Sequence, residues 1–243
     1  VTIDTKSLEQ SLQGLVSQHG GNASIAVTDR ISGVSISVRG RTAYQSASII
    51  KVTIVAGLML QRQGSGGTLS AEERELARLA ITRSDNDTAS RLFALLGGTD
   101  GLARAAKKFG MTHTTAVSSW GMTTTTADDQ VTLIKAISDP EGLLTRSHQN
   151  LLLGWMADVI AGQDFGVPDA AGKNAKAVYV KDGWFDRDDQ GGLWQVNTIG
   201  RIVEREADWV IACLSDHNAT QEAGVAVVSD LVVKAHKLLT TPA

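Results

Sequence analysis

Ser48 and Lys51 stand three residues apart in a stretch that is otherwise almost wholly apolar, Ser46-Ala47-Ser48-Ile49-Ile50-Lys51-Val52 and then Thr53 to Leu60. Ile49 to Leu60 reads as a buried helix, and a spacing of three sets a hydroxyl and an amine on one face, one turn apart. At hydrogen-bonding distance such an amine can take the serine proton and leave an oxygen able to attack an acyl carbon. Lysine is rarely buried unless something pairs with it, so a single charge in an apolar helix asks for a reason. The ordinary reading is a serine cap followed by a lysine that reaches solvent along its own stem. An S-x-x-K pair alone is too common to choose between the two.

The elements that must hold this pair follow from periodicity. Residues 6–19 carry Leu8, Leu12, Leu15 and Val16 at helical spacing. Residues 22–29 and 33–39 alternate with period two around a tight turn at Arg30-Ile31-Ser32. Helical patterns then run over 71–81, 87–96, 99–109, 126–138 and 147–160, punctuated by Ser84-Asp85-Asn86 and Gly97-Gly98. Strand patterns return at 177–181, 193–203 and 209–214, and an amphipathic helix over 224–239 closes the chain. Strands thus flank a helical middle. The simplest architecture is an antiparallel sheet assembled from both ends of the chain, with terminal helices packed on it and a helical domain inserted between.

Composition narrows the functions. The 243 residues carry a net charge of −3 with no basic block, which argues against nucleic acid or an anionic membrane as the main partner. No apolar run approaches the roughly 18 residues of a membrane span. The one cysteine, Cys213, lies in a strand pattern and is expected to be a small core residue. The chain opens on Val1, which reads as the loss of an N-terminal piece by processing or truncation. Trp155, Met156, Trp194 and Trp209 read as core or cleft wall. Asp186, Asp188 and Asp189 read as a solvated turn in preference to a calcium site.

Two more elements complete the chemistry: Ser84-Asp85-Asn86 on a loop before a helix, and Lys181-Asp182-Gly183 at the end of a strand. With Ser48-Ile49-Ile50-Lys51 they form an S-x-x-K, S-D-N, K-x-G series in order, and the chain resembles a class A β-lactamase over nearly its whole length. The Thr123–Thr126 run entering a helix, Leu153-Gly154-Trp155-Met156, and the paired strands after Gly183 share the likeness. The resemblance implies an α+β fold of the β-lactamase/transpeptidase type, a five-stranded antiparallel sheet flanked by terminal helices. Residues 1–46 with 173–243 would form the sheet domain and 47–172 an inserted all-helical domain, with the active-site cleft between them. It further implies Ser48 as the acylated nucleophile, Lys51 as its proton acceptor, and Ser84 with Lys181 as a proton path to the leaving nitrogen. Asn86 would hold the substrate amide, and the N–H groups of Ser48 and Trp184 would form an oxyanion hole. Asp182, Gly183, Trp184 and Trp120 complete the expected substrate-binding set. Lys51 can accept a proton only if burial and the second cation, Lys181, leave its amine neutral.

The chain departs from that family twice. A class A β-lactamase activates its deacylating water with a glutamate in an E-x-x-L-N loop between the second and third elements. The matching stretch here, Phe109 to Met122, is shorter and holds no acid, and no glutamate lies between Glu75 and Glu141. Without a positioned base, deacylation is expected to be slower by about 10²–10⁴-fold. His113 is the substitute base on offer, or simply a solvated loop histidine. Phe109-Gly110-Met111-Thr112, Thr125-Thr126-Ala127-Asp128 and the tryptophan after Gly183 look more like a D-alanyl-D-alanine carboxypeptidase. The second departure is Asp182, where that family has a hydroxyl or small amide that helps bind the substrate carboxylate. Either Asp182 turns away to pair with Arg187 or Arg201, or the substrate is neutral or lysine-rich.

The sequence therefore predicts an exported serine acyl-hydrolase, secreted or held in the cell envelope. It would act as a monomer on a small molecule or cell-wall peptide, slowly on β-lactams, with no metal or organic cofactor. The rival reading is a catalytically silent relative that binds a ligand or partner in the same cleft.

Overall fold

Unbroken burial along the last long strand explains why the molecule forms around it. The structure, a computed structural model, describes residues 5–240. Strand β7 (Asp208–Asn218) sends Val210, Ala212 and Leu214 to one face of the sheet and Trp209, Ile211 and Cys213 to the other. Both sets are buried, so the sheet must be covered on both sides. The strand order is β2-β1-β7-β6-β5 and every pair is antiparallel, with β1 at Ala23–Asp29, β2 at Ser35–Val38, β5 at Ala177–Arg187 and β6 at Leu193–Val203. One face carries helices α1 (Thr5–Gln18) and α8 (Gln221–Thr240), whose Leu12, Val16, Val228, Leu231 and Val232 meet Ile25, Val27 and Ile211. The opposite face receives α6 (Ala127–Ser138) and, behind it, the remaining helices.

Those helices are α2 (Ile50–Gly64), α3 (Ala71–Thr82), α4 (Asn86–Leu96), α5 (Gly98–Lys108) and α7 (Arg146–Ala157). α2 is buried at every position from Ile50 to Met59, and α3, α4, α5 and α7 pack around it. The starts of the surrounding helices are set by side-chain caps. Ser70 forms a reciprocal capping box with Glu73, while Asp85, Thr126 and Thr145 accept from the third amide of their helices. A two-stranded ribbon, β3 (Tyr44–Gln45) with β4 (Thr124–Thr125), ties the approach to α2 to the approach to α6.

Three boundaries differ from the sequence reading in ways that matter. The strand expected to stop at Lys181 runs on to Arg187, because β6 supplies an equally long partner through the pair Arg187↔Leu193. The third motif is therefore inside a strand, and the turn is confined to residues 188–192. The helix expected to reach Ile160 ends at Ala157, where Asp158 caps it and the Ile160 amide bonds instead to the carbonyl of Thr82 at 3.0 Å. Finally, Ser48 precedes α2, in a single 3₁₀ turn over Ala47–Ile49. Among the described residues no helix is long and apolar enough to cross a membrane.

Candidate active site

Ser84 gathers the site. Asp85 is spent as the N-cap of α4, accepting the amide of Thr88 at 2.8 Å, which leaves its two neighbours to meet Lys51. Ser84 itself has φ 54°, a left-handed backbone that costs a non-glycine residue about 1–3 kcal/mol. In that conformation its carbonyl and hydroxyl both accept hydrogen bonds from Lys51 Nζ, the hydroxyl at 3.2 Å, while Asn86 Oδ1 accepts a third at 2.8 Å. Lys181 Nζ arrives from β5, 3.0 Å from the same hydroxyl and 2.7 Å from the carbonyl of Asp182. Both lysines are wholly buried.

Burial is the larger reason, and the charge of Lys181 the second, that the Lys51 ammonium titrates at about 7 against the opposing pull of Asp85. Lys181 is pushed down as well, by burial, with Asp182 opposing. Among the described residues no hydrogen bond joins Lys51 to the Ser48 hydroxyl; its amine is committed to Ser84 and Asn86. Its other neighbour is Trp120, whose ring centroid lies 5.0 Å from Nζ.

Ser48 is half-buried and is reached through a second strained residue, Ala47, at φ 50°. The turn is clamped from two sides. Asn197, buried on β6, donates its amide to the carbonyls of Gln45 at 2.9 Å and Ser46 at 3.1 Å. Gly183 on β5 sits so near that a side-chain carbon there would come within 2.5 Å of the Ser48 nitrogen. Only glycine lets the strand lie against that amide.

Alternation along β5 decides the rest. Lys181 and Gly183 face the Ser48 turn, so Asp182 and Trp184 face the other way. Asp182 is fully buried, and its Oδ2 accepts the amide of Phe165 at 2.7 Å. Burial drives its carboxyl well above the usual carboxylate range, against the lowering pull of Thr198 and the Phe165 amide. The expected partners are engaged elsewhere, Arg187 with Asp189 and Arg201 with Asp208, so Asp182 does turn away but pairs with neither arginine. The Trp184 ring packs tilted against Phe165, centroids 5.7 Å apart, on the face of β5 away from the Ser48 turn, and is no cleft wall. His113 is 47% exposed, with its amide on Asp129 Oδ2 at 2.8 Å and its ring on Thr112 and Asp129. Among the described residues it makes no hydrogen bond to Ser48, Lys51, Ser84 or Lys181.

Ser48's amide, Lys51, Ser84, Asn86, Lys181, Gly183 and Trp120 are thus brought together, while Asp182, the Trp184 ring and His113 are not. Sequence reasoning missed Asn197 and Phe165. Asn197 carried a signal, a carboxamide in the middle of a strand that reads as buried; Phe165 carried none. Among the described residues no group of three or more His, Cys, Asp or Glu is placed to hold a metal ion.

Comparison with known proteins finds relatives of the same fold. A family described as the beta-lactamase enzyme family matches residues 7–73 and 59–238. LppW of Mycobacterium tuberculosis, named as a candidate lipoprotein, is 29% identical over 173 residues, covering 68% of this chain and 54% of that protein. The chain therefore spans about half the length of the curated relatives it matches. Among solved structures, PBP-A superposes with a TM-score of 0.82 at 22% identity, covering 96% of each chain. The TLA-3 extended-spectrum beta-lactamase gives 0.85 at 17% identity, covering 98% of this chain and 100% of that one. A class A beta-lactamase from Mycobacterium abscessus gives 0.79 at 17%, covering 96% and 100%. These likenesses establish the fold.

Proposed function

The chain belongs to the beta-lactamase enzyme family, and on that premise we propose that it is a serine acyl-hydrolase that carries the acyl group of an amide or ester on Ser48 and releases it slowly. One observation carries the reading: two fully buried lysine amines converge on one serine hydroxyl, 3.2 and 3.0 Å from Ser84 Oγ. Burying two ammonium groups around a neutral partner costs stability, and a proton path is what such an arrangement provides.

The steps follow. At neutral pH a large fraction of Lys51 is the free amine, since it titrates at about 7. Substrate entry frees the amine from Asn86 and Ser84. It then takes the Ser48 proton as Oγ bonds to the acyl carbon, and the charge on the former carbonyl oxygen is met by the N–H groups of Ser48 and Trp184. The tetrahedral adduct collapses with loss of the C–N bond (C–O in an ester). The leaving atom takes the Ser84 hydroxyl proton, which Lys51 restores. Water then cleaves the ester at Ser48. The stretch from Phe109 to Met122 offers no carboxylate to activate it, which supports a turnover slower by about 10²–10⁴-fold than with a positioned base.

Cell-wall peptides and β-lactams are the substrate classes. Release of D-alanine against hydrolysis of a chromogenic cephalosporin separates the carboxypeptidase from the β-lactamase form. A place in the cell envelope goes with these substrates and is supported by the lipoprotein name of the relative LppW. The test is intact-protein mass after incubation with a penicillin and with an activated ester. A lasting adduct on the wild type and none on Ser48→Ala is expected. A second reading, a silent cleft that binds without reacting, is favoured by the absence of a Lys51–Ser48 hydrogen bond. It would prevail if neither adduct nor product formed with either reagent.

A further inference from the structure

Trp120 closes the side of the site that the missing acid leaves bare. The stretch from residue 109 to residue 123 contains no aspartate or glutamate, yet it is firmly placed. Its one-turn 3₁₀ segment over Trp120–Met122 packs against the Ala47–Ile49 turn that carries Ser48. The Ser46 amide donates to the carbonyl of Thr123 at 2.8 Å, and Thr115 pairs with Thr124 in both directions. The Trp120 indole N–H donates to Ser90 Oγ on α4 at 3.1 Å. The ring is therefore fixed at both ends, by its backbone to the Ser48 turn and by its nitrogen to α4.

Two consequences follow from that placement. An indole face attracts an ammonium group, so the ring 5.0 Å from Lys51 Nζ favours the resting arrangement in which this amine lies on Ser84 and Asn86. The same ring presents carbon to the interior, because its one polar atom is already used on Ser90. The ring therefore offers a water on that side neither a carboxylate to take its proton nor a polar atom to orient it, and the space it fills is closed to solvent.

Resting on the acyl-enzyme reading above, we propose that Trp120 is a positioning residue that covers the Lys51 amine and keeps water from the ester at Ser48, so that the acyl-enzyme persists. It makes and breaks no bond in the reaction; it acts through Lys51 and through the solvent it excludes.

The test separates formation of the adduct from its decay. Wild type, Trp120→Ala, Trp120→Phe and Ser90→Ala are acylated with a penicillin, freed of excess reagent, and followed by intact-protein mass. Trp120→Ala is expected to shorten the adduct half-life by roughly tenfold while changing the acylation rate less, since closure against water protects reactive intermediates. Trp120→Phe keeps a ring over the amine and is expected to restore most of the half-life. Ser90→Ala frees the indole nitrogen without touching the Ser48 turn and is expected to shorten the half-life in the same direction; it carries the test if Trp120→Ala fails to fold. An unchanged half-life in folded Trp120→Ala, or in Ser90→Ala where Trp120→Ala is unfolded, overturns the proposal. So does a parallel fall in both rates that Phe does not rescue, the mark of a purely structural role. A wild type that forms neither adduct nor product brings down the acyl-enzyme reading itself, and this inference with it.

Discussion

Arg30 and Arg201 meet on the carboxylate of Asp208, whereas Lys51 and Lys181 meet on the hydroxyl of Ser84. In the first cluster Arg201 reaches Asp208 at 2.5 and 2.8 Å, Arg30 reaches it at 3.1 Å, and the Asp208 amide is held by Asp29 at 2.8 Å. Every charge there has a counter-charge or a set of donors, as expected of groups that tie the Asp29 turn to the start of β7. In the second, two cations are buried more deeply and share a neutral oxygen. The only carboxylate in the third motif, Asp182, has turned to the other face of β5. Similar chemical parts are used in one place to lower the energy of the fold and in the other at its expense. That difference is what supports the proposal that the second cluster is the working part of the molecule.

Exchanging the roles would break the comparison most visibly. Lys51→Met is expected to cut acylation by about 10³-fold while raising stability by about 1–3 kcal/mol, because a buried cation gives way to an apolar side chain of similar length. Asp208→Ala is expected to do the reverse, losing about 3 kcal/mol by stranding two arginines and leaving acylation of the folded protein little changed. Thermal melts and adduct-formation rates on the two variants check both halves. A Lys51→Met protein that is less stable than the wild type would erase the distinction.

A smaller effect sharpens it. Acylation needs the free amine, so its rate is expected to rise with pH through about 7, where Lys51 titrates. Lys181→Met removes the second of the two causes that lower Lys51. The amine then holds its proton more tightly, and the midpoint of the rate–pH curve moves to higher pH. A midpoint that stays put or falls would show that the two lysines do not sense each other.

The smallest effect comes from a group in neither cluster. His148 is buried on α7 with Nδ1 2.6 Å from Gln63 Oε1, and burial lowers its pKa. The unfolded chain then binds the proton at a higher pH than the folded one. Stability from this group is whole above about 6.5 and is lost as pH falls below that value. Melts of the wild type and His148→Gln from pH 7.5 to 5.5 should show the smaller decline in the variant.

Much of this was legible in the sequence because it is local. The apolar run of α2 betrayed Lys51, and the order of the three short motifs with strands at both ends pointed to the fold. What was not legible depends on register. Whether Asp182 faces the cleft or the interior is set by its pairing with Thr198 and by the amide of Phe165, a residue from an irregular stretch with no pattern of its own. The same alternation removed the Trp184 ring from the cleft. Trp120 was visible as a tryptophan beside a motif, but its place over Lys51 arises from the β3–β4 ribbon, whose strands are too short to announce themselves.

The sheet's assembly from both ends of the chain also fixes when the site can exist. Ile25 pairs with Cys213, and the Ser46 carbonyl waits for Asn197. Contacts so distant along the chain are slow to form, since loop closure must precede any reward from pairing. Until β6 and β7 are in place, the β1–β2 hairpin keeps an open edge and the Ser48 turn lacks both Asn197 and Gly183. The Ser48 turn is therefore complete only once the C-terminal strands have docked, so a chain without them carries the proposed serine and lysine but not the arrangement around them.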